Sequence, residues 1–141
     1  MRALAQATTW LLAATAAVAC SCSAPAPATF TAIYPVLFPE TTNARCNACH
    51  SLLATNTNNG NLVMGTDKHA AWVALVGKPS TGARCAGRTL VVAGQPDASL
   101  LYQKLFETSP CGSRMPLGGD LLSDAQREMV RSWIAAGAND D

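Results

Sequence analysis

Two cysteines and a histidine lie within five residues of one another in this 141-residue chain, in the order Cys46-Asn47-Ala48-Cys49-His50. Two thiols three positions apart share one side of a helical turn, so both can form thioethers with the vinyl groups at one edge of a haem. The adjacent histidine can then bind the iron. Because C-x-x-C-H is the attachment signature of c-type haem, the sequence predicts one covalently bound haem c held by Cys46, Cys49 and His50.

Two other kinds of site also use closely spaced cysteines. A thioredoxin-like redox pair follows a strand and opens a helix within a βαβ pattern, and no such pattern surrounds these residues. A structural zinc site needs a second close pair of ligands. The remaining candidates are scattered along the chain: His69, Cys85 and Cys111. A zinc-binding structural lipoprotein stays open as an alternative to a haem protein.

The sixth iron position is predicted to be filled by Met115. Met64 lies only fourteen residues past His50, which is a short path around the haem edge, whereas Met115 lies sixty-five residues past it. Pro116 restricts Met115 to an extended backbone, and glycines on both sides let the loop approach a porphyrin. Met129 is expected to pack in the core. An open sixth position, Met64 and His69, which falls in the first turn of a predicted helix, remain the alternatives.

The N-terminus predicts export. Arg2 supplies a positive start, residues 10–19 are apolar and rich in alanine, and the stretch ends in small residues, so residues 1–19 are interpreted as a signal peptide. Cys20 follows directly, as in the lipobox of bacterial lipoproteins, although the usual leucine three residues earlier is replaced by Ala17. We therefore expect a periplasmic or outer-membrane protein that reaches the membrane through a lipid on Cys20. Ordinary cleavage of the signal peptide is the alternative.

Residues 20–29 are rich in Pro and Ala and are predicted to form a tether, so residues 30–141 make the domain. Loss of Arg2 with the signal leaves nine Lys and Arg against nine Asp and Glu. This balance gives no indication of nucleic-acid binding. About 110 residues with few aromatics form a modest core, to which a buried porphyrin would add apolar surface.

The remaining pattern predicts a small all-α domain with long loops. Helices are expected at four places: a short one near 31–37 broken by Pro35 and Pro39, then 67–76, 96–105 and 123–136. Thr66-Asp67 can cap the second of these helices, and the last carries a capping box at Ser123 and Gln126. Residues 89–92 are β-branched but too few for more than an extended segment. Cys85 and Cys111 are the cysteines left over in an exported domain, and they are predicted to form a disulfide.

With these features in order, the chain resembles a class I cytochrome c. It is most similar to the small cytochrome c-like domains of exported proteins from myxobacteria and planctomycetes. The resemblance rests on Cys46 to His50, Leu75-Val76-Gly77, Gly94-Gln95-Pro96-Asp97-Ala98-Ser99-Leu100, Arg114-Met115-Pro116-Leu117-Gly118 and Trp133-Ile134-Ala135-Ala136-Gly137-Ala138. It covers nearly all of the predicted domain and implies the same haem fold, with Met115 as the sixth ligand.

The function expected from these residues is electron transfer to and from redox partner proteins, without bond chemistry by the polypeptide. An open sixth position acting on peroxide or a small gas is the catalytic alternative, but no distal acid and base are indicated by the sequence. The protein is therefore expected not to be an enzyme.

Overall fold

The computed structural model describes residues 27–51, 60–65 and 67–141. Within them lie five α-helices and a 3₁₀ turn: α1 Phe30–Leu37, α2 Cys46–His50, α3 Lys68–Leu75, the 3₁₀ turn Pro96–Ala98, α4 Leu100–Gln103 and α5 Asp124–Ala135. The extended segments meet only in isolated bridges, Val76 with Val91 and Pro79 with Thr89. The prediction of a helical domain is confirmed at this level. The predicted signal peptide and most of the tether lie outside the described residues.

The C-terminal helix α5 forms as predicted. The Ser123 side chain accepts from the Gln126 N–H, and the Gln126 side chain accepts from the Ser123 N–H, which together make the capping box. The helix buries Val130, Trp133 and Ile134. Trp133 stacks on Phe30 of α1, with ring centroids 4.7 Å apart. The first and last helices of the described domain thus meet at the centre of the core.

The prediction that Pro35 breaks the first helix is wrong, because α1 runs unbroken through it. Proline costs a helix one hydrogen bond, to the carbonyl four residues earlier. Here that cost is offset by tertiary packing, since Phe30, Ile33 and Leu37 are all buried. Pro35 itself lies on the exposed side. The helix does end two residues before Pro39, as expected from that proline.

The helix predicted over 96–105 is divided in the structure. A 3₁₀ turn ends at Ala98 and α4 begins at Leu100, with the fully buried Ser99 between them. The Ser99 hydroxyl accepts from the Val92 N–H at 2.8 Å and lies 2.9 Å from the Gln95 carbonyl. A serine that bonds to the main chain in this way competes with helical hydrogen bonding, which explains the interruption.

The tail after α5 joins the two ends of the domain. The Trp72 indole of α3 donates to the Ala138 carbonyl at 2.7 Å, and the Trp133 indole donates to the Asn139 carbonyl at 2.9 Å. The Phe30 N–H, in the first turn of α1, donates to the Asp141 carboxylate at 2.6 Å. The tail therefore places α1 and α3 relative to α5. The predicted cap of α3 is confirmed for Asp67, which accepts from the Ala70 N–H, whereas Thr66 lies outside the described residues.

The predicted disulfide is confirmed. Cys85 and Cys111 are bonded, with Cα atoms 5.5 Å apart and 26 residues of sequence separation. We expect the double variant Cys85→Ala/Cys111→Ala to lose about 3–4 kcal/mol of unfolding free energy through restored loop entropy in the unfolded chain. Urea unfolding without reductant measures this. Reduced wild-type protein should match the double variant, and equal stability of variant and oxidised wild type would contradict the expectation.

Candidate functional site

The motif Cys46–His50 forms the single helical turn α2, which the sequence predicted. The turn begins after Arg45, whose backbone is left-handed with φ of 42°. Its attachment to the rest of the fold comes from Asn47, whose N–H donates to the Phe38 carbonyl just after α1 at 2.9 Å. The Asn47 amide also reaches the Tyr34 hydroxyl at 3.4 Å. Helix α1 and the segment after it therefore determine where the two cysteines lie.

The two cysteines of α2 are thiols, and neither is fully enclosed. Cys46 packs against the core. The pKa of the Cys46 thiol is raised to about 12, mainly by burial, with a backbone hydrogen bond opposing the shift and the neighbouring Cys49 adding a smaller upward contribution. Catalytic redox cysteines have lowered pKa values, because the thiolate is the reactive form. Cys46 therefore lies in an environment that disfavours the thiolate, unlike the reactive cysteine of a thioredoxin-type pair.

The His50 ring is oriented by a hydrogen bond to the main chain. Its Nδ1 lies 3.2 Å from the Leu62 carbonyl, so Nδ1 carries the proton and Nε2 is left as the basic nitrogen. Burial lowers the pKa of His50 more than this hydrogen bond raises it, which favours the neutral imidazole. A metal-binding histidine commonly donates its second nitrogen to a carbonyl in this way. Leu62 was not predicted as part of the site, because any residue can supply a carbonyl.

Met115 lies half-buried in a loop of residues 109–119, here called the Met115 loop. The Met115 N–H donates to the Lys104 carbonyl at 2.7 Å. The Lys104 ammonium, just after α4, donates to the carbonyls of Cys111 at 2.7 Å and Ser113 at 2.8 Å. Sequence reasoning placed Lys104 only as one residue of a helix. The feature of the sequence that could have indicated a role for Lys104 is its charge, close to Leu100 and Leu105 in a helix.

The other candidate ligands are engaged elsewhere. Met64 is 2% exposed and belongs to the core, and its N–H donates to the His50 carbonyl at 2.6 Å. Residues 62–64 therefore lie next to His50. The His69 side chain is 68% exposed, and its Nδ1 pairs with the Asp140 carboxylate at 2.5 Å. Met129 packs against the core, as predicted.

Some large apolar side chains near the candidate ligands in sequence are exposed. The described part of the chain has five exposed large apolar side chains, and three of them lie within six positions in sequence of Met115 or of Leu62. These are Val63, next to the carbonyl that holds His50, and Leu117 and Leu121, which follow Met115. The partly buried Cys46 thiol and the oriented His50 imidazole have the chemistry that a covalently attached haem would require.

The described residues do not bring together a zinc site. No group of three or more His, Cys, Asp or Glu side chains is placed to hold a metal among residues 27–51, 60–65 and 67–141. The stretch 52–59 contains none of these residue types, so further ligands would have to come from Cys20 and Cys22.

Within the same described ranges, no helix has the length and apolar character needed to cross a bilayer.

Comparison with known proteins adds no assignment, since no family model, curated protein or solved structure matches this chain. The class of protein therefore has to be argued from the site itself.

Proposed function

We propose that this protein is a monohaem c-type cytochrome that transfers electrons. The observation that carries the proposal is the orientation of the His50 imidazole, whose Nδ1 donates to the Leu62 carbonyl directly beside two suitably spaced thiols. Haem bound there would supply one-electron exchange between ferric and ferrous iron. Cys46 and Cys49 would hold it covalently, His50 would be the proximal ligand and Met115 the sixth ligand.

The choice of Met115 over Met64 is supported by where their backbones are attached. A second residue that held haem would have to reach it independently of the segment that holds His50. Met64 is two residues from the carbonyl that holds His50, and its own N–H bonds to the His50 carbonyl. Met115 is instead attached to Lys104, at the end of α4. A thioether ligand favours reduced iron and raises the potential relative to a second histidine, which suits an electron carrier.

The polypeptide's own part in the proposed function is to orient the groups that would hold haem. Leu62 holds the imidazole, and α2 keeps the two thiols on one turn. A site acting on peroxide or a small gas would require an open iron position and an acid or base beside it. The half-buried Met115 and its fixed backbone favour the carrier.

The proposed location follows from the N-terminal sequence. Export to the periplasm or outer membrane, with a lipid on Cys20, would bring the haem domain to redox partner proteins in the compartment where c-type haem is attached. A tether of residues 20–29 would let the domain reach them.

Expression with haem-maturation machinery tests the proposal directly. We expect a reduced pyridine haemochrome spectrum of the bis-thioether type and an intact mass increased by one haem. The double variant Cys46→Ala/Cys49→Ala is the control and should lose its colour on acid-acetone extraction, because the thioethers are absent. Colourless wild-type protein that contains zinc would contradict the proposal and support the structural alternative.

A further inference from the structure

The Met115 loop is attached to one residue of the helical core at two points. The Lys104 ammonium donates to the carbonyls of Cys111 at 2.7 Å and Ser113 at 2.8 Å. The Lys104 carbonyl accepts from the Met115 N–H at 2.7 Å. The side chain of Lys104 therefore holds the part of the loop that leads to Met115, and its main chain holds Met115 itself.

Lys104 is itself firmly placed. It caps α4, where its N–H donates to the Leu100 carbonyl at 3.0 Å. Leu100 is 2% exposed, and its own N–H donates to the Thr89 carbonyl at 3.0 Å. The buried Ser99, immediately before α4, bonds to the main chain of Val92 and Gln95. These hydrogen bonds fix Lys104 relative to the core, so Lys104 can hold the loop in place.

The neighbouring attachments hold the two flanks of the loop. The disulfide joins Cys111 to Cys85. The Arg114 guanidinium donates to the carbonyls of Pro116 at 3.2 Å and Gly119 at 3.1 Å, and it pairs with Glu107 at 3.3 Å. Neither of these places the Met115 backbone against the core, whereas the hydrogen bond to the Lys104 carbonyl does.

We propose that Lys104 is a positioning residue for Met115, holding the loop that carries the proposed sixth ligand. The inference rests on the proposed function. Lys104 acts through the loop and does not touch the iron. Hydrogen bonds from a charged group are about twice as strong as neutral ones, and two of them end on carbonyls within four residues of Met115. Their loss should increase the fraction of molecules in which the loop is open and Met115 is off the iron.

The test compares Lys104→Met, which keeps the length and apolar stem but removes every donor, with Lys104→Arg, which retains N–H donors. Lys78→Met is the matched control, since Lys78 is an exposed lysine outside the loop. Three properties are measured on the purified full-length proteins. They are the ferric sulfur-to-iron charge-transfer band, the apparent affinity for added imidazole, which binds only when Met115 has left, and the hydrogen exchange of the Met115 amide.

For Lys104→Met we expect a weakened band, about tenfold tighter imidazole binding and about tenfold faster Met115 amide exchange, because the apparent affinity follows the open fraction. The haem content should stay unchanged. Lys104→Arg should restore all three properties toward the wild-type values, and Lys78→Met should match wild type throughout.

Three outcomes would overturn the inference. Lys104→Met could keep the wild-type band and imidazole affinity, Lys104→Arg could be as impaired as Lys104→Met, or Lys78→Met could show the same changes. A haem-containing wild type without the band would also overturn it, while leaving covalent haem attachment intact. Wild-type protein without haem would instead contradict the proposed function. Hydrogen exchange of the Met115 amide would then still show whether Lys104 holds the loop.

Discussion

Replacing Trp133 with Ala is expected to lower the free energy of unfolding by about 3–5 kcal/mol, a large part of the total stability of a small domain. Trp133 is 1% exposed and stacks on Phe30 with ring centroids 4.7 Å apart. Its indole N–H also donates to the Asn139 carbonyl at 2.9 Å, which secures the C-terminal tail. The substitution therefore removes the contact between α1 and α5 and one attachment of the tail. Denaturant unfolding followed by circular dichroism measures the loss.

Trp133→Phe is the matched control. It keeps a stacked ring on Phe30 but removes the N–H and part of the volume, so about half of the Trp133→Ala loss is expected. A cost below about 1 kcal/mol for Trp133→Ala would contradict the packing described for α1 and α5.

In the haem-loaded protein that we propose, replacing Met115 with Ala should abolish the ferric sulfur-to-iron charge-transfer band and lower the reduction potential, with the haem still covalently attached. The reason is that a thioether ligand stabilises ferrous iron, and water or an open position does not do so to the same degree. Absorption spectra of the ferric protein and a potentiometric titration measure the two effects. The haemochrome spectrum shows that attachment is unchanged.

The controls for Met115 are the two other methionines in the described domain. Met64→Ala opens space in the core, because Met64 is 2% exposed, so it should lower stability while the band survives. Met129→Ala, on the partly buried face of α5, should keep the band as well. A band that survives in Met115→Ala but vanishes in Met64→Ala would assign the sixth position to Met64.

The parts of the fold that were predictable are those specified by neighbours in sequence. The capping box of α5 depends on residues three positions apart, and the Asp67 cap of α3 has the same short range. The disulfide could be predicted because Cys85 and Cys111 were the pair left over in a chain expected to be exported. Local spacing also placed the two thiols and the histidine of α2 on one turn.

The predictions that failed concern competition between local and tertiary effects. Pro35 should disrupt a helix, yet burial of Phe30, Ile33 and Leu37 outweighs the lost hydrogen bond. Ser99 fits a helical pattern, yet its buried hydroxyl binds the main chain at Val92 and Gln95 and interrupts the helix. Neither outcome can be predicted without knowing which segments pack together.

The sequence by itself predicted the chemistry that we propose for the candidate site, because C-x-x-C-H specifies ligand types and spacing within one helical turn. The tertiary structure decided how those side chains are held. The carbonyl of Leu62 orients His50, and Lys104 supports the Met115 loop from the end of α4. Both contacts join residues at least seven positions apart. The contact of Leu62 uses only its backbone carbonyl, so the identity of the Leu62 side chain does not predict it. Such contacts become visible only when the chain is folded.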